Sequence, residues 1–116
     1  MSAPVLDDQA LVRLADSVDD TRAAARFAAR FVQLLPTRIA RISDALLVGD
    51  VEAALDASLS LKVTSCTAGA RELQELAVVI EGDLRSSAIP AARSHAGALP
   101  AAADRACAAL ERYLTA

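Results

Sequence analysis

From Phe27 to Leu47, large apolar residues return every three or four positions, and nowhere does the chain alternate apolar with polar residues. Phe27, Phe31, Leu34, Leu35, Ile39, Ile42, Leu46 and Leu47 trace one face of a 3.6-residue repeat. With no two-residue period anywhere, the expected fold class is all-α. Alanine supports this. It makes up about a quarter of the chain, has the best intrinsic helix propensity and lets helices approach closely. The 116 residues suit a single domain, 1–116, with a core of Leu, Val, Ile and Ala, because aromatic residues are only 3% of the chain and Trp is absent.

Punctuation residues divide the pattern. A short first helix is expected from Asp7 to about Ser17, with Asp7 and Asp8 at its positive end and Ala10, Leu11, Leu14 and Ala15 facing inward. Asp19, Asp20 and Thr21 offer N-caps for a long second helix that reaches about Val48. Pro36 lies inside that helix. It removes a backbone donor and crowds the preceding turn, so a kink or break is expected there. Gly49 suits a left-handed helix end, and Asp50 suits the cap of a third helix from Val51 to about Cys66. Gly69 marks the turn into a fourth helix over about residues 70–86, with Leu73, Leu76, Ala77, Ile80 and Leu84 on its apolar face. Ser87 to Pro100 reads as a loop with at most one short helical turn. A fifth helix uses Leu99, Ala103, Ala106, Leu110, Tyr113 and Leu114, with Pro100 in its first turn. Connections this short favour an antiparallel up-down four-helix bundle with a short additional N-terminal helix.

Charge and composition exclude several classes. The net charge is −3, with no contiguous basic block and almost no aromatic residues for base stacking, so no nucleic-acid partner is expected. Charged residues interrupt every apolar stretch well short of the roughly 18–20 residues a membrane span requires, and no secretory leader is read at the N-terminus. The expected location is cytoplasmic. Cys66 and Cys107 are isolated, without C-x-x-C spacing or a nearby histidine, so they read as small buried apolar residues rather than a metal or disulfide pair.

Residues 59–70 read Leu-Ser-Leu-Lys-Val-Thr-Ser-Cys-Thr-Ala-Gly-Ala. In register and without a gap, this resembles the signature of the histidine-containing phosphotransfer (HPt) family, His-x-Leu-Lys-Gly-Ser-x-x-x-aliphatic-Gly-Ala. Leu61, Lys62, Gly69 and Ala70 match, and Thr64 and Ala68 are mild replacements. Lys62 is the one lysine in a chain with eleven arginines. Gly49-Asp50 stands nine residues before Leu59, where the family often has Gly-Asp between two helices. Leu73, Leu76, Ala77, Ile80 and Glu81 are similar to the family's pattern after the motif. The resemblance spans roughly residues 7–115, and its four-helix bundle agrees with the fold expected from periodicity.

Two departures fall where the family's chemistry resides. Leu59 occupies the position of the phosphoacceptor histidine, and Val63 that of the glycine which leaves room for the incoming aspartyl phosphate. The resemblance gives Lys62 a role beside the transferring phosphoryl group, one turn along the same face. Leucine has no nucleophilic atom. Ser58, Ser60, Thr64, Ser65 and Thr67 surround the position, but no histidine lies within a helical turn of any of them, and an unactivated hydroxyl is a poor nucleophile. His95 lies in a Gly/Pro-punctuated segment unlike the motif and reads as a surface loop residue.

Around the third helix, Ala54, Ser58, Leu61, Ser65 and Ala68 form the face that the family buries. Val51, Leu55, Leu59, Val63 and Cys66 form an opposite apolar stripe. An exposed aliphatic stripe on a small domain marks an interaction surface, whereas rotation of the helix would bury it internally. The expected protein-binding surface is therefore Leu55, Leu59, Lys62, Val63 and Cys66. The resemblance implies a non-enzymatic HPt-like module of two-component signalling, without cofactor or metal. It would dock on a response-regulator receiver or histidine kinase domain, or self-associate through the third helix. The alternative is a helical scaffold or homodimerisation protein with no phosphorelay role.

Overall fold

Asp20, Asp50 and the glycines at 49 and 69 set the helix boundaries. The computed structural model describes residues 3–18 and 20–115, with no strand among them. Its helices are α1 (Ala10–Val18), α2 (Thr21–Val48), α3 (Val51–Ala68), α4 (Arg71–Arg85), α5 (Ile89–Ala96) and α6 (Leu99–Thr115). The Asp20 carboxylate accepts the backbone N–H groups of Arg22 and Ala23, and Asp50 accepts that of Ala53. These contacts satisfy donors that the first helical turn leaves unpaired. Gly49 and Gly69, both at φ 77°, end α2 and α3 with C-cap hydrogen bonds. Asp19, the other acidic cap candidate, lies outside the described residues.

Several boundaries and faces differ from the sequence expectation. Asp7 and Asp8 precede α1, which begins at Ala10. Asp7 still serves that end of the helix: its side chain accepts the Gln9 N–H at 3.0 Å and pairs with Arg13 at 2.8 Å. No break occurs at Pro36, and α2 runs through it for 28 residues. Pro36 is exposed, on the side of the helix away from the core. The third helix continues two residues beyond Cys66, to Ala68. The segment read as a loop contains α5, eight residues long with Pro90 in its first turn, where a missing N–H is harmless. Tyr113 and Leu47, expected on inward faces, are exposed.

The core is one continuous cluster. It runs through Phe31, Leu35, Ile42, Leu61, Leu73, Ile80, Leu99 and Leu110, with alanines filling the gaps. Helix α3 packs between α2 and α4, α6 packs on α2 and α4, and α1 lies against α2 and α3. At about 1.5 Å per residue, α2 is roughly 42 Å long, which sets the long dimension of a 41 × 26 × 21 Å molecule.

Candidate functional site

Helix α3 is two-faced at the level of single residues. Ala54, Ser58, Leu61, Ser65 and Ala68 are buried, and four of the five are small, so α2 and α4 approach closely on either side. The Ser58 hydroxyl donates to the Ala54 carbonyl at 2.8 Å, which removes it from any other role. The opposite stripe divides along its length. Leu55 is half-buried against the core, and Leu59 is half-buried. Val51, Val63 and Cys66 are exposed, Val63 by 60%. Cys66 therefore departs from the expected buried apolar role, because it lies on the stripe rather than the inner face. Cys107 is half-buried, and burial raises its thiol pKa, with Glu111 and Asp104 adding to the effect.

Polar contacts flank the stripe on both sides. Toward α4, Lys62 Nζ lies 2.7 Å from Glu81 Oε1, and Arg85 Nε reaches the other oxygen at 3.0 Å. The hydrogen bond from Lys62, followed by that from Arg85, holds the Glu81 carboxyl below its ordinary range against the opposing effect of burial. Lys62 thus already has a counter-ion, so any bound phosphoryl group would compete with Glu81 for it. Toward α2, Arg38 Nη1 donates to Ser60 Oγ at 2.8 Å. Thr64 and Thr67 donate back to the carbonyls of Ser60 and Val63 within their own helix. The Ser65 hydroxyl is buried without a hydrogen-bond partner. Among the described residues no carboxylate or imidazole is hydrogen-bonded to any of these hydroxyls.

His95 is not a loop residue. It lies in α5, where its Nδ1 is 2.7 Å from Asp83 Oδ2, tying α5 to α4. Sequence reading also missed two features. One is the end of the molecule where α2 meets α3. There Leu47 and Val48 project into solvent, and Arg93 reaches across from α5 to donate two hydrogen bonds to the Leu46 carbonyl. That contact covers a carbonyl in the last turn of α2, where intrahelical donors run out. The other is an arginine-lined face on α2. Its residues are separated by three to eight positions, so the linear sequence shows no basic block.

Among the described residues no group of three or more His, Cys, Asp or Glu side chains is placed to hold a metal ion. No helix there is long and apolar enough to cross a membrane. Comparison with protein-family models, with curated proteins and with solved structures gives no match to this chain.

Proposed function

We propose that this chain is an HPt-like helical module of two-component signalling that carries no phosphate and works by binding a receiver or histidine kinase domain in the cytoplasm. On this reading α2, α3, α4 and α6 are the four helices of an up-down bundle, α1 is the N-terminal addition and α5 an insertion before the last helix. The supporting observation is the placement of the motif within α3. Leu61 is fully buried, while Leu59, Lys62 and Val63 lie at the half-buried to exposed side of the same helix. That side is where an acceptor would meet a partner, and it carries a hydrocarbon instead of a nucleophile. The alternative, a scaffold or homodimerisation protein, draws on the same apolar stripe and needs no phosphorelay.

The proposal is tested by incubating the protein with a receiver domain labelled on its aspartyl phosphate. The wild type is expected to stay unlabelled, and acid-labile label on His95 or acid-stable label on Ser60 or Thr64 would overturn the reading. Leu59→His restores a nucleophile but not the clearance lost at Val63, so label is expected only in the Leu59→His/Val63→Gly double variant. Strong labelling of Leu59→His alone would remove the steric role assigned to Val63.

A further inference from the structure

Helix α2 carries Arg22, Arg26, Arg30, Arg38 and Arg41 against a single acidic residue, Asp44, for a net charge of +4. The whole chain is −3, so the remainder carries −7. The charge is therefore segregated onto one helix. Arg22, Arg26, Arg30 and Arg41 are exposed, and Arg38 is half-buried at the seam with α3. Arg26 has one loose partner, Asp20, at 3.7 Å, and Arg22, Arg30, Arg38 and Arg41 form no ion pair among the described residues.

Arg38 is the most telling of the five. Its Nη1 is held by the Ser60 hydroxyl, a neutral group, while its Nε is buried without an acceptor. A guanidinium partly withdrawn from water, with one donor unmet and no carboxylate within ion-pair distance, is unfavourable in the free protein, and its charge gains from an incoming anion. Beside it, Arg41, Ala53, Asp56, Ala57 and Ser60 line a shallow recess along the α2–α3 seam. Asp56 is the one acidic group there.

We propose that the arginine face of α2 is a docking surface for a partner protein that presents a row of carboxylates. Arg22, Arg26, Arg30 and Arg38 fall on a four-residue ridge that winds slowly round α2, and Arg22 and Arg41 are nineteen residues, about 28 Å, apart along the axis, the length of about five turns of an acidic helix crossing α2 along that ridge. Guanidinium groups favour carboxylates through paired, charge-assisted hydrogen bonds. A second copy docked by two-fold symmetry would set arginines against arginines. Nucleic acid fits less well, because half-buried Phe27, beside Arg26 and Arg30, is the one aromatic side chain at this surface, whereas stacking of successive bases needs several. The net −3 is no obstacle, since a screening length of about 8–10 Å lets the local patch dominate. This surface is separate from the α3 stripe, and its test does not depend on any phosphorelay role.

The probe is a synthetic helical peptide with glutamates at four-residue spacing over about five turns, titrated into isotopically labelled protein. Amide shifts are expected to concentrate on residues 22–41 and the recess around Ser60, and binding should weaken as salt rises. Arg30→Glu or Arg41→Glu should each weaken binding at least fivefold. Arg112→Glu, an equal charge change on exposed α6, should alter it less than twofold. Equal losses from all three variants would reduce the effect to net charge and overturn the proposal. Tighter binding of a single-stranded oligonucleotide, or of phosphatidylserine vesicles, would overturn the assignment to protein carboxylates. Self-association abolished by Arg41→Glu would make a second copy the occupant and overturn it likewise.

Discussion

Glu81 shows how one residue couples the motif helix to the rest of the bundle. Its carboxylate receives Lys62 from α3 and Arg85 from its own helix, and these contacts depress its pKa. Because the folded value lies below the ordinary 4.5, folding favours the ionised form. The resulting stability is present above about pH 4.5 and is lost as the pH falls through the lower, folded value. Urea unfolding midpoints measured from neutral pH downward should fall in that acidic window, and less so in Glu81→Gln. An unchanged acid dependence in the variant would show that other carboxylates carry the transition. Lysine 62 itself was legible in the sequence as the one lysine on the motif, but its partner was not. Glu81 lies nineteen positions away, and only the packing of α3 on α4 brings the two together.

At the scale of elements, helix termini were more legible than helix continuity. Gly49 and Gly69 adopt the left-handed conformation that few other residues tolerate, so they mark the ends of α2 and α3 in sequence and structure alike. At Pro36, where a kink or a break was expected, the helix stays unbroken, and the stretch from Ser87 to Pro100 holds a helix where local propensity suggested a loop; in both, tertiary packing outweighs propensity. Ala92 and Ala96 seat α5 against the core even though Pro90 and Gly97 bracket it. The two glycines also differ from each other. A Cβ on Gly69 would lie 2.6 Å from the Asp7 carbonyl oxygen and 2.7 Å from Ala10 Cβ, whereas one on Gly49 would meet nothing within 4 Å. Both alanine variants carry the left-handed penalty of about 1–2 kcal/mol. Gly69→Ala should lose roughly 1–3 kcal/mol more, because it forces α1 off the α3 terminus. It should also speed exchange of the Asp7 amide, which donates to the Gly69 carbonyl at 2.6 Å. Equal losses in thermal or urea unfolding would mean that the approach of residues 7–10 is not tight.

For the molecule as a whole, the deciding matter is where α3 turns its second apolar side. The buried face sits at the centre of the core, while the opposite stripe runs from half-buried Leu55 and Leu59 to exposed Val63 and Cys66. Sequence periodicity revealed that two such faces exist but not how far each is covered, because coverage depends on how α2 and α4 close around the helix. Full burial of a leucine side chain is worth about 1.5–3 kcal/mol before the costs of association. Half-buried Leu59 and exposed Val63 therefore leave part of that gain for a partner or a second copy. Leu59→Glu should weaken such association, read by sedimentation at increasing concentration or by binding to an immobilised receiver domain. Its helical content and melting temperature should stay close to wild type. Leu61→Glu, two residues away and fully buried, provides the internal contrast: a carboxylate forced into the core cluster should cost several kcal/mol and unfold the protein at moderate temperature. If Leu59→Glu instead destabilises the fold as severely as Leu61→Glu, the stripe belongs to the core. If it leaves both stability and every measured association unchanged, the stripe is ordinary surface, and binding must be sought on another face such as the arginines of α2.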